Sequence, residues 1–196
     1  MMKFRPLLII ALCLFLGQGI CHAAAKDIRL KLASGEEARI SRSEDGRWAY
    51  RCGKEAVYDL ETDNAGSLVF TKNRRILASG RFKGEKITLT AETGDWFLSL
   101  KVKPGKIKVF PDTSASPFEF KIKPGKVKVV YGGVDYGKVK YYPDTGKLKA
   151  KDSMGNTVAE MRGLYTLNAA PGAFLVESFS RDQSVFMALF LLSAGN

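Results

Sequence analysis

The chain has 196 residues, which is enough for one domain or at most two small ones. Lysine and arginine outnumber aspartate and glutamate by 31 to 20, and the formal net charge of +11 favours anionic partners such as lipid head groups, cell-surface polymers or nucleic acid. The only histidine, His22, and two of the three cysteines lie within the first 25 residues. The chain after residue 25 has one cysteine and no histidine, which excludes internal disulfides there and any catalytic or zinc site that depends on histidine.

Residues 1–25 have the features of a secretory signal peptide. Lys3 and Arg5 precede an apolar run of ten residues at 7–16, and three alanines at 23–25 supply the small residues that a signal peptidase needs. The apolar run is shorter than the span of about 20 residues that crosses a bilayer. The pattern therefore predicts removal of this segment rather than a permanent anchor.

Cleavage is expected after Ala25, with Ala23 as the second choice. Lipid modification is disfavoured because neither Cys13 nor Cys21 directly follows a run of small residues. We therefore expect an exported protein, periplasmic or secreted, with a single domain at 26–196 and no transmembrane segment in the mature chain. The loss of two positive charges, from +11, leaves a mature net charge of +9.

Short segments of alternating apolar and polar residues predict β-strands from residue 28 onward. The spacing is regular and helical periodicity is almost absent, which favours an all-β sandwich or barrel. Asp45-Gly46 is a typical hairpin turn because both residues tolerate positive φ. Cys52 is expected to be a small buried residue on a strand, and pairing between chains is the alternative. The first eight predicted strands are 28–32, 38–41, 47–51, 56–60, 67–71, 75–82, 86–91 and 96–103.

The middle of the chain contains a repeat. Residues 100–110, LKVKPGKIKVF, recur as 120–130, FKIKPGKVKVV, with seven of eleven positions identical. Each copy predicts two strands around a Pro-Gly corner, and a partial third copy follows at 137–142. A solenoid needs about three clean copies, so local duplication inside a closed sheet is the favoured interpretation.

Alternation in the repeat strands separates apolar residues from lysines. The apolar face holds Val102, Ile107, Val109, Ile122, Val127, Val129, Val139 and Leu148. Thirteen lysines lie between residues 101 and 151, opposed by only four acidic residues. They either form a solvated face that discourages edge pairing or a platform for an anionic partner. The candidate binding residues are Lys101, Lys103, Lys106, Lys108, Lys121, Lys123, Lys126, Lys128, Lys138 and Lys140.

Aromatic residues near these lysines are compatible with nucleic-acid binding through base stacking. Tyr131, Tyr136 and Tyr142 lie close to the basic strands, whereas Tyr141 falls on the apolar face. Arginine, the usual reader of base edges, is absent between residues 82 and 161. This absence, together with export, argues against a nucleic-acid partner.

The last part of the chain predicts strands at 157–161, 164–167 and 173–178, followed by a helix at 181–194. Ser180 and Gln183 have the spacing of a capping box. Gly195 is suited to closing the helix, and charges at its entry are expected to pair at the barrel mouth.

The helix is apolar on every face between residues 185 and 192, so other elements must surround it. The predicted fold is mainly β: a closed antiparallel barrel of about 12 short strands around one buried C-terminal helix.

This arrangement resembles the tubby C-terminal-like superfamily, which includes tubby-like proteins, phospholipid scramblases and plant LURP-one-related proteins. The similar segments are 170–192, APGAFLVESFSRDQSVFMALFLL, together with 63–70, DNAGSLVF, and 152–160, DSMGNTVAE. The resemblance implies a closed barrel threaded by its last helix. It also implies membrane or phosphoinositide association in some members, without a shared catalytic site.

Three functions are compatible with the sequence. The favoured one is an exported, non-catalytic protein that binds an anionic lipid or envelope polymer through its lysines, without cofactor or metal. A second is a structural partner protein whose helix docks on another molecule. A third is a hydrolase that uses carboxylates alone, for which Asp59, Glu61 and Asp63 are the candidates because they cluster in sequence.

Overall fold

The computed structural model of the protein describes residues 27–53, 56–63, 65–111 and 116–194. The predicted signal segment at 1–25, with its cleavage sites, Cys13, Cys21 and His22, lies outside the described residues. Gly195 does so as well.

Fourteen antiparallel strands form one closed barrel in which chain neighbours pair and the last strand pairs with the first. The prediction of a closed barrel around a C-terminal helix is confirmed, with fourteen strands where about twelve were expected. The strands are β1 (Ile28–Leu32), β2 (Glu37–Arg42), β3 (Trp48–Cys52), β4 (Ala56–Thr62), β5 (Ser67–Lys72), β6 (Arg75–Lys83), β7 (Lys86–Ala91), β8 (Phe97–Lys103), β9 (Lys106–Phe110), β10 (Phe118–Lys123), β11 (Lys126–Tyr131), β12 (Val134–Tyr142), β13 (Lys147–Asp152) and β14 (Thr157–Arg162).

The repeat lies inside this barrel. Its two copies form the β8–β9 and β10–β11 hairpins, which are neighbours in the sheet. Local duplication in a closed sheet is therefore confirmed, and the solenoid alternative is wrong. Alternation in these strands is also confirmed, since Val109, Val129 and Val139 are fully buried and the lysines face outward.

Helix α1 (Arg181–Ala194) lies in the interior and packs against β3 and β4. The predicted capping box is formed: the Ser180 backbone N–H donates to Gln183 Oε1 at 2.8 Å, and the Gln183 N–H donates to Ser180 Oγ at 3.2 Å. Phe186 is fully buried, with its ring centroid 5.5 Å from that of Phe70 on β5. Because the helix is apolar all round, this enclosure removes every face from water.

A polar collar holds the first turn of α1 to the barrel mouth. The Arg181 guanidinium contacts Glu36 and the Tyr50 hydroxyl. Asp182 accepts hydrogen bonds from the Tyr58 hydroxyl at 2.8 Å and from Lys72 Nζ at 3.1 Å. Burial raises the pKa of Tyr50, so its hydroxyl remains a neutral hydrogen-bond donor. The expected pairing of charges at the helix entry is thus formed by Arg181, which pairs with Glu36, and by Asp182, which pairs with Lys72.

The predicted strands at 164–167 and 173–178 are wrong. Residues 164–167 form no regular element, and the chain then forms a buried 3₁₀ helix, Ala170–Leu175. The reason is topological: β14 pairs with β1, so the closed sheet has no free edge for another strand. Gly172 is packed so closely that a Cβ there would lie 3.1 Å from Val139 and 3.2 Å from Phe120. The 3₁₀ helix therefore fills the interior beneath β11–β14, beside α1.

Candidate anionic-surface site

The lysine wall is the outer face of β8–β13, defined by its thirteen lysines. Two Pro-Gly corners position its hairpins, and in each one proline restricts φ while the following glycine takes a positive φ. Gly105 has φ 66° and Gly125 has φ 70°. The corners set lysines directly opposite each other, Lys103 against Lys106 and Lys123 against Lys126. The wall comprises Lys101, Lys103, Lys106, Lys108, Lys121, Lys123, Lys126, Lys128, Lys138, Lys140, Lys147, Lys149 and Lys151.

Cross-strand pairing aligns these lysines in rows that run around the barrel. The longest row crosses six strands, and each member lies opposite the next: Lys103, Lys106, Lys121, Lys128, Lys138 and Lys151. A second row contains Lys123, Lys126, Lys140 and Lys149. Like charges directly opposite on an antiparallel sheet are destabilising. The wall is therefore a continuous basic surface, and repulsion among its lysines lowers the stability of the folded protein.

One carboxylate compensates part of this repulsion. Glu119, on β10, accepts a hydrogen bond from Lys108 Nζ at 2.8 Å and one from Lys121 Nζ at 2.9 Å, and Lys106 Nζ lies 3.5 Å from its carboxylate. Hydrogen bonds from Lys108 and Lys121 lower the pKa of Glu119 from 4.5 to about 2. Glu119 therefore stays ionised far into the acid range and anchors three lysines of the wall.

Two further carboxylates lie at the border of the wall. Glu160, on β14, contacts Arg162 at 2.9 Å, Lys149 at 3.4 Å and Lys147 at 3.7 Å. Burial alone would raise the pKa of Glu160, but the hydrogen bond from Arg162 and the neighbouring lysines lower it. Asp135 pairs with Lys128 at 3.2 Å.

Seven wall lysines lie farther than 4.0 Å from every carboxylate in the described ranges: Lys101, Lys103, Lys123, Lys126, Lys138, Lys140 and Lys151. The structure thus brings all ten candidate lysines onto one outer surface, six of them unpaired in this sense. The outer wall of a barrel is convex, so these ammonium groups form an extended positive surface. Such a surface suits an extended or planar polyanion better than a compact ligand.

The other residues singled out in the sequence are dispersed. Tyr141 packs against the core as expected, and Tyr131 stacks on Phe118 with ring centroids 4.5 Å apart. Cys52 is half-buried at the end of β3 and has a free thiol. Among the residues described, no group of three His, Cys, Asp or Glu side chains is arranged to hold a metal ion.

The three candidate carboxylates of the hydrolase hypothesis have separate environments. Asp59 lines a surface groove, and Glu61 pairs with Arg47 at 3.3 Å. Asp63 accepts the backbone N–H groups of Ala65 and Ser67, both at 2.8 Å, which lowers its pKa. Asp63 therefore stabilises a turn.

A second set of basic residues was not predicted from the sequence. Four arginines are cross-strand partners around the barrel closure: Arg162, Arg29, Arg39 and Arg51, on β14, β1, β2 and β3. The alternation of each strand could have placed each arginine outside. The last three meet through consecutive hairpins, and the pairing of the first strand with the last adds Arg162.

Comparison with protein-family models, with curated proteins and with solved structures finds no match for this chain. The resemblance to the tubby C-terminal-like superfamily stays a prediction. In the described part of the chain, none of the helices combines the length and the apolar character needed to span a bilayer.

Proposed function

We propose that this is an exported, non-catalytic protein that binds an anionic lipid surface or envelope polymer through its lysine wall. The observation that carries the proposal is the unbroken row of six lysines across β8–β13. Export rests on the signal-like sequence at 1–25.

Energetics support a binding role for the wall. Edge protection does not require these lysines, because every edge of the closed sheet is paired. Solubility requires charged residues at the surface, but it does not require lysines to face each other on neighbouring strands. Pairs of like charges in this arrangement reduce the stability of the sheet. An anionic partner would relieve this repulsion on binding.

The kind of residue points to a diffuse partner. A lysine ammonium is a compact, hydrated point charge on a flexible stem, whereas arginine offers a planar fork that matches one phosphate or carboxylate group. Lysines alone suit many charges spread over a surface. The apolar side chains of α1, by contrast, are buried in its own barrel and are not offered to a partner.

Co-sedimentation of the protein with phosphatidylglycerol vesicles tests the proposal, with an anionic polysaccharide as the second probe. We expect strong binding at low salt and little at high salt, because exposed charges are screened by ions. The double variant Lys126→Gln with Lys138→Gln should weaken binding at least about tenfold, since a basic residue near an anionic surface contributes about 1 kcal/mol.

The matched control is Arg39→Gln with Arg75→Gln, which changes net charge equally at two exposed residues of β2 and β6. It should retain most of the binding. Equal losses in both double variants would show that net charge, rather than the wall, drives association. Failure to bind either probe at low salt would overturn the proposal.

A further inference from the structure

A groove of about 670 Å³ lies on the outer surface of β2–β5, on the side of the barrel opposite the lysine wall. Four arginines line this arginine groove: Arg42, Arg47, Arg51 and Arg74. They come from β2, the β2–β3 turn, β3 and the β5–β6 turn, and small residues such as Ser41 and Ala49 lie between them. The groove is thus basic like the wall, but it is concave.

Two of these arginines already have partners. Arg47 pairs with Glu61 at 3.3 Å and lies 3.9 Å from Asp45. The Arg42 guanidinium lies over the ring of Trp48, 5.7 Å from its centroid, a cation–π contact that keeps its full charge. Arg51 and Arg74 have no carboxylate within 4.0 Å among the described residues. The groove therefore retains uncompensated guanidinium groups.

Arg74 occupies a backbone position that favours glycine. Lys72 pairs with Arg75, so Asn73 and Arg74 form a two-residue hairpin turn, with φ 51° and φ 67°. Turns with positive φ at both positions prefer Asn-Gly. Asn73 fits this preference, but an arginine in this conformation is strained. The turn thus places an arginine at the groove at a cost in stability.

The same turn is tied to the groove. The Asn73 backbone N–H donates to the Val57 carbonyl at 2.7 Å, and Asn73 Oδ1 accepts the Val57 N–H at 3.0 Å. Val57 lines the groove and pairs with Arg51 across β3 and β4. These two bonds fix the backbone of the turn that carries Arg74 before any ligand arrives, so less backbone freedom is lost on binding.

Asp59 limits the kind of ligand. It lies in the groove, opposite Ala49, and makes no ion pair with any of the described cations. A carboxylate accepts hydrogen bonds but repels an oxyanion. Guanidinium groups, in contrast, bind phosphate through two parallel N–H···O bonds. A ligand that satisfies both kinds of residue carries a phosphate group and, beside it, a hydroxyl group.

We infer that the arginine groove is a binding site for a phosphorylated sugar or polyol, separate from the lysine wall. Arg51 and Arg74 bind the phosphate group, and Asp59 accepts a hydrogen bond from a neighbouring hydroxyl. The site does not depend on the proposed function of the wall.

Titration calorimetry with glucose 6-phosphate, inorganic phosphate and glucose tests this inference. We expect glucose 6-phosphate to bind more tightly than inorganic phosphate, and glucose not to bind. Arg74→Gly should weaken glucose 6-phosphate binding about ten- to a hundredfold, the range for a lost hydrogen bond to a charged group. It should also raise the melting temperature by about 2–4 °C, because glycine relieves the strain.

Asp59→Asn should strengthen inorganic phosphate binding and reduce the preference for glucose 6-phosphate. Arg81→Gln, on β6 outside the groove, is the control of equal charge change for Arg74→Gly and should leave both affinities unchanged. The absence of phosphate binding, or equal losses in Arg74→Gly and Arg81→Gln, would overturn the inference. Should Arg74→Gly lower the melting temperature, Arg51→Gln supplies an independent test of the same site.

Discussion

The lysine wall and the arginine groove carry the same sign of charge on opposite sides of one barrel, but they are built differently. The wall is convex, contains no arginine and is assembled from a local repeat whose strands are chain neighbours. The groove is concave and contains four arginines from β2, β3 and two turns. A convex array of point charges suits an extended partner, whereas a concave set of planar donors suits a compact one.

The two surfaces also rest on different interiors. Beneath the groove, α1 packs against β3 and β4, and Phe186 contacts Phe70 on β5. Beneath the wall, the 3₁₀ helix Ala170–Leu175 packs against β11–β14. Each surface should therefore be sensitive to substitutions in its own half of the core, in addition to the stability of the whole barrel.

The largest effect is expected from Phe186→Ala. Its ring is fully buried between Phe70 and Phe190, so its removal leaves a cavity and should lower the free energy of unfolding by about 3–5 kcal/mol. Denaturant unfolding measures this loss, and Phe186→Leu, which preserves much of the volume, should lose considerably less. In hydrogen exchange, β4 and β5 should lose more protection than β10 and β11. Equal loss in all four strands would show that the interior does not divide in this way.

Gly172→Ala is the corresponding change beneath the wall. The added methyl group would lie 3.1 Å from Val139 and 3.2 Å from Phe120, so overpacking should lower the free energy of unfolding by about 1–3 kcal/mol. Val139→Ala removes the nearest atom but also leaves a cavity at a fully buried position, so the double variant should lose less stability than the sum of the two single variants. Additive losses would contradict the contact on which the prediction rests. Protection should fall most in β11 and β12.

The smallest effect on stability, and the most specific to the wall, is expected from Glu119→Gln. Loss of the ion pairs with three lysines should destabilise the protein by about 1 kcal/mol once solvent screening is allowed for. The same change should strengthen binding to anionic vesicles, because a negative charge leaves the wall. The control is Glu44→Gln, in an exposed turn without an ion pair to a described residue, and should change neither property.

The pH dependence of Glu119→Gln has a defined sign. The pKa of Glu119 is lowered on folding from 4.5 to about 2, so its stabilisation is complete above pH 4.5 and is lost as the pH falls toward 2. The difference in stability between wild type and variant should therefore shrink across this interval. A difference that stays constant down to pH 2 would show that Glu119 does not interact with the lysines as an anion.

Much of the architecture follows from local patterns in the sequence. Period-two alternation predicted the strands and the separation of lysines from apolar residues, and the capping-box spacing predicted the start of α1. The strands predicted at 164–167 and 173–178 failed because a closed sheet offers no edge, which is a property of the whole barrel. Local apolar character could not distinguish a strand from a buried 3₁₀ helix.

By itself, the sequence determined the lysine wall, because its residues belong to consecutive hairpins in which pairing is local and alternation decides which side chains face water. Only the tertiary structure decided the arginine groove. Its position depends on the pairing of β2, β3 and β4 and on the bonds from Asn73 to Val57, which hold the turn that carries Arg74 against β4. These bonds join a turn to a strand that lies sixteen residues earlier, and the alternation of side chains within one strand does not encode such a contact.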